Sequence, residues 1–193
     1  MNKHVVVVAS GETERRALPH LLAHLKDEGV FAEDVRIPPR NGSLNVQMAE
    51  KLIKAAWYED VGSPPDKIIV LVDVDARAPP GVLRPFEQDL PSRLGADISA
   101  RVLCAYAQWH LEAWYFGDTA NLRDYLGGSV GSVDTSKPDE IENPKRHLKQ
   151  ILGHRVYTAR VSEEIASALH GPTIADRSPS FRGLVNATLN GST

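Results

Sequence analysis

The sequence predicts an α/β fold: a parallel sheet with crossover helices, followed by a mostly helical C-terminal part. Three observations predict it. Short runs of β-branched and apolar residues recur with no polar alternation, as in strands buried on both faces. Segments with apolar residues at helical spacing stand between them. The order strand, helix, strand, helix, strand is that of a sheet whose parallel strands need crossovers.

Val5 to Ala9 is the first apolar run, bounded by Ser10-Gly11, and reads as a buried strand. Leu18, Leu21, Leu22 and Leu25 then share one helical face, with Pro19 marking a kink or a later start and Gly29 ending the helix. Val30 to Ile37 is a weaker strand, stopped by Pro38-Pro39. Val46, Ala49, Leu52, Ile53 and Ala56 mark a second helix. Lys67 to Asp73, Lys-Ile-Ile-Val-Leu-Val-Asp, is the strongest strand and therefore central. Val82 to Leu94 carries a helix broken by Pro85 and Pro91, and Arg101 to Ala107 is a further core strand. Beyond His110 short helices are expected over 111–116, 120–125, 144–152, 163–169 and 180–189, with a mobile Gly/Ser/Asp-rich loop at 127–139. The chain is read as a single domain over 1–193, with an α/β core at 1–118 and a helical elaboration at 119–193.

Composition narrows the class. Of 193 residues, 42% are hydrophobic and 24% charged, enough apolar material for a real core. The net charge of −3 gives no global pull toward nucleic acid, so any such site must be a local basic patch. The lone Cys104 sits in an apolar strand and reads as a small buried hydrophobe, which with the absence of any disulfide pair fits a reducing compartment. No apolar run reaches the roughly 20 residues of a membrane span, and the reading is a soluble cytoplasmic protein.

Carboxylates collect where the strands end, the place where open α/β sheets bind ligands. Ser10-Gly11-Glu12-Thr13-Glu14 follows the first strand, Asp73-Val74-Asp75 ends the central one, and Glu112 and Asp118 flank Trp114 beyond the last. On a continuing strand Asp73 and Asp75 point to one side, and two such carboxylates repel unless a cation or proton lies between them. Hard oxygen donors at that spacing suit Mg2+ or Mn2+. The plain alternatives are a turn or cap for Asp73, a solvated Asp75, first-turn dipole contacts for Glu12 and Glu14, and a solvated helix face for Glu112. There is no P-loop, no His-Glu-x-x-His and no Gly-x-Ser-x-Gly elbow, and the seven histidines are scattered. Basic residues concentrate late, at Lys145, Arg146, His147, Lys149, His154, Arg155, Arg160, Arg177 and Arg182. They read either as a solvated helix face or as phosphate contacts.

Taken together, several segments resemble the bacterial DUF4276 family, which belongs to the TOPRIM-like superfamily. The resemblance rests on Ser10-Gly11-Glu12-Thr13-Glu14, Leu71-Val72-Asp73-Val74-Asp75, Leu111-Glu112-Ala113-Trp114-Tyr115-Phe116-Gly117-Asp118, Asn143-Pro144-Lys145 and Ser178-Pro179-Ser180-Phe181-Arg182. It implies a TOPRIM-like parallel sheet of about four strands sandwiched by helices. It also implies a Mg2+ site for phosphodiester chemistry built from Asp73, Asp75 and a glutamate after the first strand. In the family's register Ser10 stands where that glutamate is usual, Glu14 matches a second family glutamate, and Glu12 is an additional carboxylate.

The leading expectation is a Mg2+- or Mn2+-dependent nuclease-like protein, and the resemblance implies a phage-defence-type system as its setting. Asp73, Asp75 and Glu14 would hold the ion, Glu14 or Glu12 would act as general base, and Glu112 would support the site. Lys145, Arg146 and Arg182 would grip a nucleic-acid backbone. The competing expectation is an adaptor that keeps the scaffold and binds a protein partner, a reading that Ser10 favours; the resemblance implies an ATPase as that partner. A third is a phosphohydrolase or phosphotransfer enzyme with the same acidic cluster and a closed pocket.

Overall fold

Val5, Val6, Val7 and Val8 are all buried in strand β1 (Lys3–Val8) and point alternately to the two faces of a sheet. The computed structural model describes residues 2–59, 63–75, 77–128, 130–131 and 134–189. Its sheet has four parallel strands in the order β2-β1-β3-β4, with β2 at Val30–Arg36, β3 at Lys67–Asp73 and β4 at Val102–Ala107. The two apolar strands β1 and β3 lie side by side at the centre, as the runs of β-branched residues require.

The chain winds both ways from β1. Helix α1 (Glu12–Leu21) leads to β2 on one side, and helix α2 (Val46–Glu59) carries the chain back to β3 on the other. Val5, Val7, Ile69 and Leu71 pack on one face with Ala17, Leu18 and Leu21 of α1. Val6, Val8, Ile68 and Val70 pack on the opposite face with Ala49, Ile53 and Ala56 of α2. Each such side chain, fully buried, contributes roughly 1.5–3 kcal/mol over leaving it exposed.

Helix α1 runs unbroken through Pro19. A 3-10 stretch, Ala23–Glu28, then ends at Gly29 in the left-handed region, φ 72°. The proline-rich stretch after β3 becomes α3 (Pro79–Arg84), one π-helical turn (Pro85–Asp89) and α4 (Leu90–Arg93), followed by α5 (Ala96–Ser99). The helix is thus interrupted at Pro85 and starts earlier than its periodicity suggests.

Beyond β4 the chain forms α6 (Glu112–Tyr115), α7 (Thr119–Leu126), α8 (Pro144–Leu152), α9 (Ala159–Ala168), α10 (Gly171–Arg177) and α11 (Pro179–Leu189). The expected loop at 127–139 lies partly outside the described residues, and its last residues enter a 3-10 turn at Pro138–Glu140. Helix α10 has no clear apolar period and is not evident in the sequence. Its entry depends on Gly171, where a Cβ would lie 2.4 Å from the Leu21 carbonyl. Helix α9 packs on α1, and α11 packs on β3 and β4. At the far end of α11 the buried Lys67 ammonium donates to the carbonyls of Ala187 and Thr188, at 2.6 and 3.0 Å, satisfying groups that a helix end leaves open. No helix among the described residues is long and apolar enough to cross a membrane.

Candidate functional site

The winding reverses between β1 and β3, so the crevice at their carboxyl ends is a topological switch point. Residues two apart on a helix fall on nearly opposite sides. This separates the two glutamates after β1. Glu14 turns inward and is buried. Glu12 turns outward, 2.8 Å from both Arg15 and Arg16, whose hydrogen bonds hold its carboxyl below the usual range. Glu12 is therefore engaged on the solvent side, apart from the crevice. Ser10 lies half-buried in the turn after β1.

Asp73 is the last residue of β3 and is partly buried. The expectation that Asp75 continues the strand and shares its face is corrected. The strand stops at Asp73, Val74 is buried, and Asp75 adopts a left-handed backbone, φ 47°. Its side chain, 51% exposed, lies 2.9 Å from His110 Nε2 and 3.6 Å from Arg77. Aspartate is among the few residues that enter this region readily. The turn thus hands Asp75 to a histidine rather than stacking it beside Asp73.

Glu112 opens α6 just beyond β4 and is 1% exposed. Its Oε1 accepts a hydrogen bond from the Tyr157 hydroxyl at 2.9 Å and lies 3.5 Å from the Lys145 ammonium. Lys145 stands in the first turn of α8, which brings the Asn143-Pro144-Lys145 segment over the sheet edge.

Glu14, Asp73 and Glu112 repel one another. Burial, then the negative charges of Glu14, Glu112 and Asp75, push the Asp73 carboxyl well above its ordinary range, against the pull of Lys145. Burial, and then Glu112, raise Glu14 in the same direction, opposed by hydrogen bonds and by Lys145. Three carboxylates from three strand ends thus share one ammonium. All are hard oxygen donors of the kind Mg2+ and Mn2+ take, and the excess negative charge is what a divalent cation offsets. The donor chemistry fits such an ion. The side chains do not yet converge: among the described residues no three His, Cys, Asp or Glu side chains stand in ligand geometry.

The other basic residues are dispersed. Arg146 is exposed on α8. Arg182, expected on a nucleic-acid backbone, donates instead to the carbonyls of Ala175 and Asp176 at the end of α10, at 3.2 and 3.5 Å. Arg155 and Arg160 pair with Glu164, and Arg177 donates to Gly117 and Thr119.

The C-terminal motif is structural. The Asp139 carboxylate accepts from Ser178 Oγ at 2.6 Å, Ser180 N at 2.7 Å and Ser180 Oγ at 2.9 Å. Ser180 Oγ in turn accepts from Trp114 Nε1 at 2.8 Å, and Phe181 meets the Trp114 ring edge-on, with centroids 5.0 Å apart. Asp118, the last residue of the Glu-Ala-Trp segment, accepts from His170 N at 2.8 Å and Asn121 Nδ2 at 2.7 Å. The Cys104 thiol is pushed up to about 12 by burial, which leaves almost no thiolate nucleophile at neutral pH.

Sequence reasoning missed Tyr157 and His110. Tyr157 reaches Glu112 from 45 positions away, with no spacing to announce it. His110 follows the last strand closely, and its position just beyond the strand end was the available signal. Its Nδ1 is buried without a hydrogen-bond partner among the described residues.

A parallel α/β sheet with an acidic crevice at its switch point is the class of protein these features define. The chain belongs to the DUF4276 family, described as a domain of unknown function, whose model matches residues 10–188. Solved structures with a similar fold include the C-terminal region of the Burkholderia pseudomallei OLD protein, 17% identical with a TM-score of 0.49 over 96% of both chains. The C-terminal region of the Xanthomonas campestris pv. campestris OLD protein is 14% identical with a TM-score of 0.49, over 96% of this chain and 94% of that one. No curated protein matches the chain.

Proposed function

We propose that this chain is a divalent-cation-dependent, phosphodiester-cleaving protein of the TOPRIM-like kind, acting on nucleic acid. The observation that carries the reading is the placement of Glu14, Asp73 and Glu112, buried or half-buried, just beyond three strand ends around the switch point of the sheet. Buried like charges raise the free energy of the folded chain, so an arrangement that keeps three of them together is a functional-site candidate. In this reading Asp73, Glu14 and Glu112 hold Mg2+ or Mn2+. A bound ion of this type activates water and offsets charge developing on a phosphate. Asp75 stays with His110 outside the ligand set. Lys145 balances part of the cluster's charge, and Arg146 beside it contacts the nucleic-acid backbone.

Calorimetric titration of Mg2+ and Mn2+ into the wild type and Asp73→Asn tests the reading. Saturable binding that disappears in the variant, together with Mn2+-dependent cleavage of DNA or RNA, is the expected result. Absence of binding to the wild type, with and without an oligonucleotide present, would sink it. A second reading is a regulatory subunit whose partner is a protein such as an ATPase. It is favoured by Lys145, which already partly neutralises a cluster whose carboxylates do not converge. In that case Asp73→Asn would leave partner binding unchanged.

A further inference from the structure

Tyr157 lies in the segment that joins α8 to α9, on none of the three elements that carry the acidic cluster. Its hydroxyl nevertheless ends 2.9 Å from Glu112 Oε1. Its ring lies under the Lys145 ammonium, 5.8 Å from nitrogen to ring centroid, within the range where an aromatic face attracts a cation. The same ammonium is 3.5 Å from Glu112 Oε1. One aromatic side chain therefore holds both the carboxylate and its counter-ion.

The two oxygens of Glu112 are left in different conditions. Oε1 has both partners, the tyrosine hydroxyl and the ammonium. Oε2 takes no hydrogen bond from any described residue. A carboxylate held through one oxygen leaves the lone pairs of the other uncommitted. The anchor is itself braced. The buried Tyr115 hydroxyl bonds Ser162, which ties α6, the helix that carries Glu112, to α9 just beyond Tyr157. Groups that hydrogen-bond a ligating side chain from behind typically set its orientation, and their loss weakens metal binding by about 10–100-fold.

We propose that Tyr157 is the positioning residue of the acidic site: its hydroxyl fixes Glu112 through Oε1 so that Oε2 faces an incoming divalent cation. The inference rests on the reading of the acidic edge as a cation site. Tyr157 touches neither the cation nor the substrate in this arrangement. It acts through Glu112, and its ring keeps Lys145 beside the cluster.

The test is Mn2+ titration, by calorimetry and by loss of the free-ion paramagnetic signal, into the wild type, Tyr157→Phe, Glu112→Gln and Tyr125→Phe. Tyr125 donates its hydroxyl to Glu164, away from the site, and controls for the loss of any tyrosine–carboxylate bond. The expected result is binding to the wild type, loss in Glu112→Gln, a tenfold or greater weakening in Tyr157→Phe, and wild-type affinity in Tyr125→Phe. Wild-type affinity in Tyr157→Phe would overturn the inference and leave the cation site standing. Equal weakening in Tyr125→Phe would mark a generic effect and overturn it too. Undiminished binding to Glu112→Gln would remove the group through which Tyr157 is said to act. A wild type that binds no Mn2+ would overturn the proposed function, and this inference with it.

Discussion

Two clusters of inward-facing polar groups lie near the carboxyl edge of the sheet, and they differ in how completely they are satisfied. Around Asp139, every donor has an acceptor: Ser178, Ser180 and Trp114 form a closed set of short hydrogen bonds. Around Asp73, three carboxylates repel one another and share one half-exposed lysine. The sequence alone does not tell the two apart, since acidic residues stand in both. The difference teaches which to regard as architecture. A satisfied network fixes the fold, whereas a frustrated one is retained against the fold's interest and points to a ligand.

The largest expected effect comes from breaking the satisfied cluster. Asp139→Ala strips the acceptor from both Ser178 and Ser180, which are buried. Each buried polar group left without a partner costs about 1–3 kcal/mol, so a destabilisation of roughly 3 kcal/mol is expected. For a domain of this size that is a drop of roughly 6–12 °C in melting temperature. Mn2+ affinity measured well below the transition should stay at the wild-type value. A melting temperature within a degree or two of wild type would show that the set is not the structural knot it resembles.

The opposite sign is expected in the frustrated cluster. Asp73→Asn keeps shape and removes one repelling charge. It should stabilise the metal-free protein at neutral pH by about 1–2 kcal/mol, since the desolvation cost and the repulsion of a buried carboxylate go with its charge, while abolishing cation binding. Calorimetric melting in a chelator reads the first effect and titration the second. A variant less stable than wild type would mean that Asp73 is already satisfied, and the contrast between the clusters would collapse.

The same contrast has a pH signature. Asp73 and Glu14 bind protons more tightly folded than unfolded, because their folded-state affinities are raised. Where the folded state holds more protons, stability falls as pH rises. Their contribution is therefore fully present below the ordinary carboxylate range. It is lost as pH climbs from there through the raised values. Metal-free wild type should lose stability across that window, and Asp73→Asn should lose less. A flat difference between the two melting curves from pH 4 upward would argue against the repulsion.

How much of this was legible in sequence follows from range. The strands were readable because Val5 to Val8 and Ile68 to Val72 carry their burial in local composition. Glu14 and Asp73 were readable as site residues because each sits immediately after a strand run. Asp75 was misplaced because period-two reasoning holds only while the strand continues, and a left-handed turn ends it. The surroundings of Arg182 are not readable in the sequence, because exposed arginines look alike until the carbonyls of a neighbouring helix end hold one of them. Tyr157 was invisible, since its role exists only when the segment after α8 folds back over Glu112. Pro19 suggests a kink or a later start, yet α1 continues through it because the face carrying Leu18 and Leu21 is wholly buried.

The smallest expected effect separates the two glutamates that the sequence offered together. Glu12 lies on the solvent side of α1, with its carboxylate between Arg15 and Arg16. Water screens such pairs, and exposed ion pairs contribute little. Glu12→Gln should therefore shift the melting temperature by less than about 2 °C and leave Mn2+ affinity untouched. Glu14→Gln, two residues on and buried, should weaken the cation while raising stability in its absence, as Asp73→Asn does. Matched titrations of the two variants compare the faces of one helix turn directly. If Glu12→Gln lowers cation affinity as much as Glu14→Gln, the ligand set reaches around the helix to its solvent face, and the buried trio is not the site.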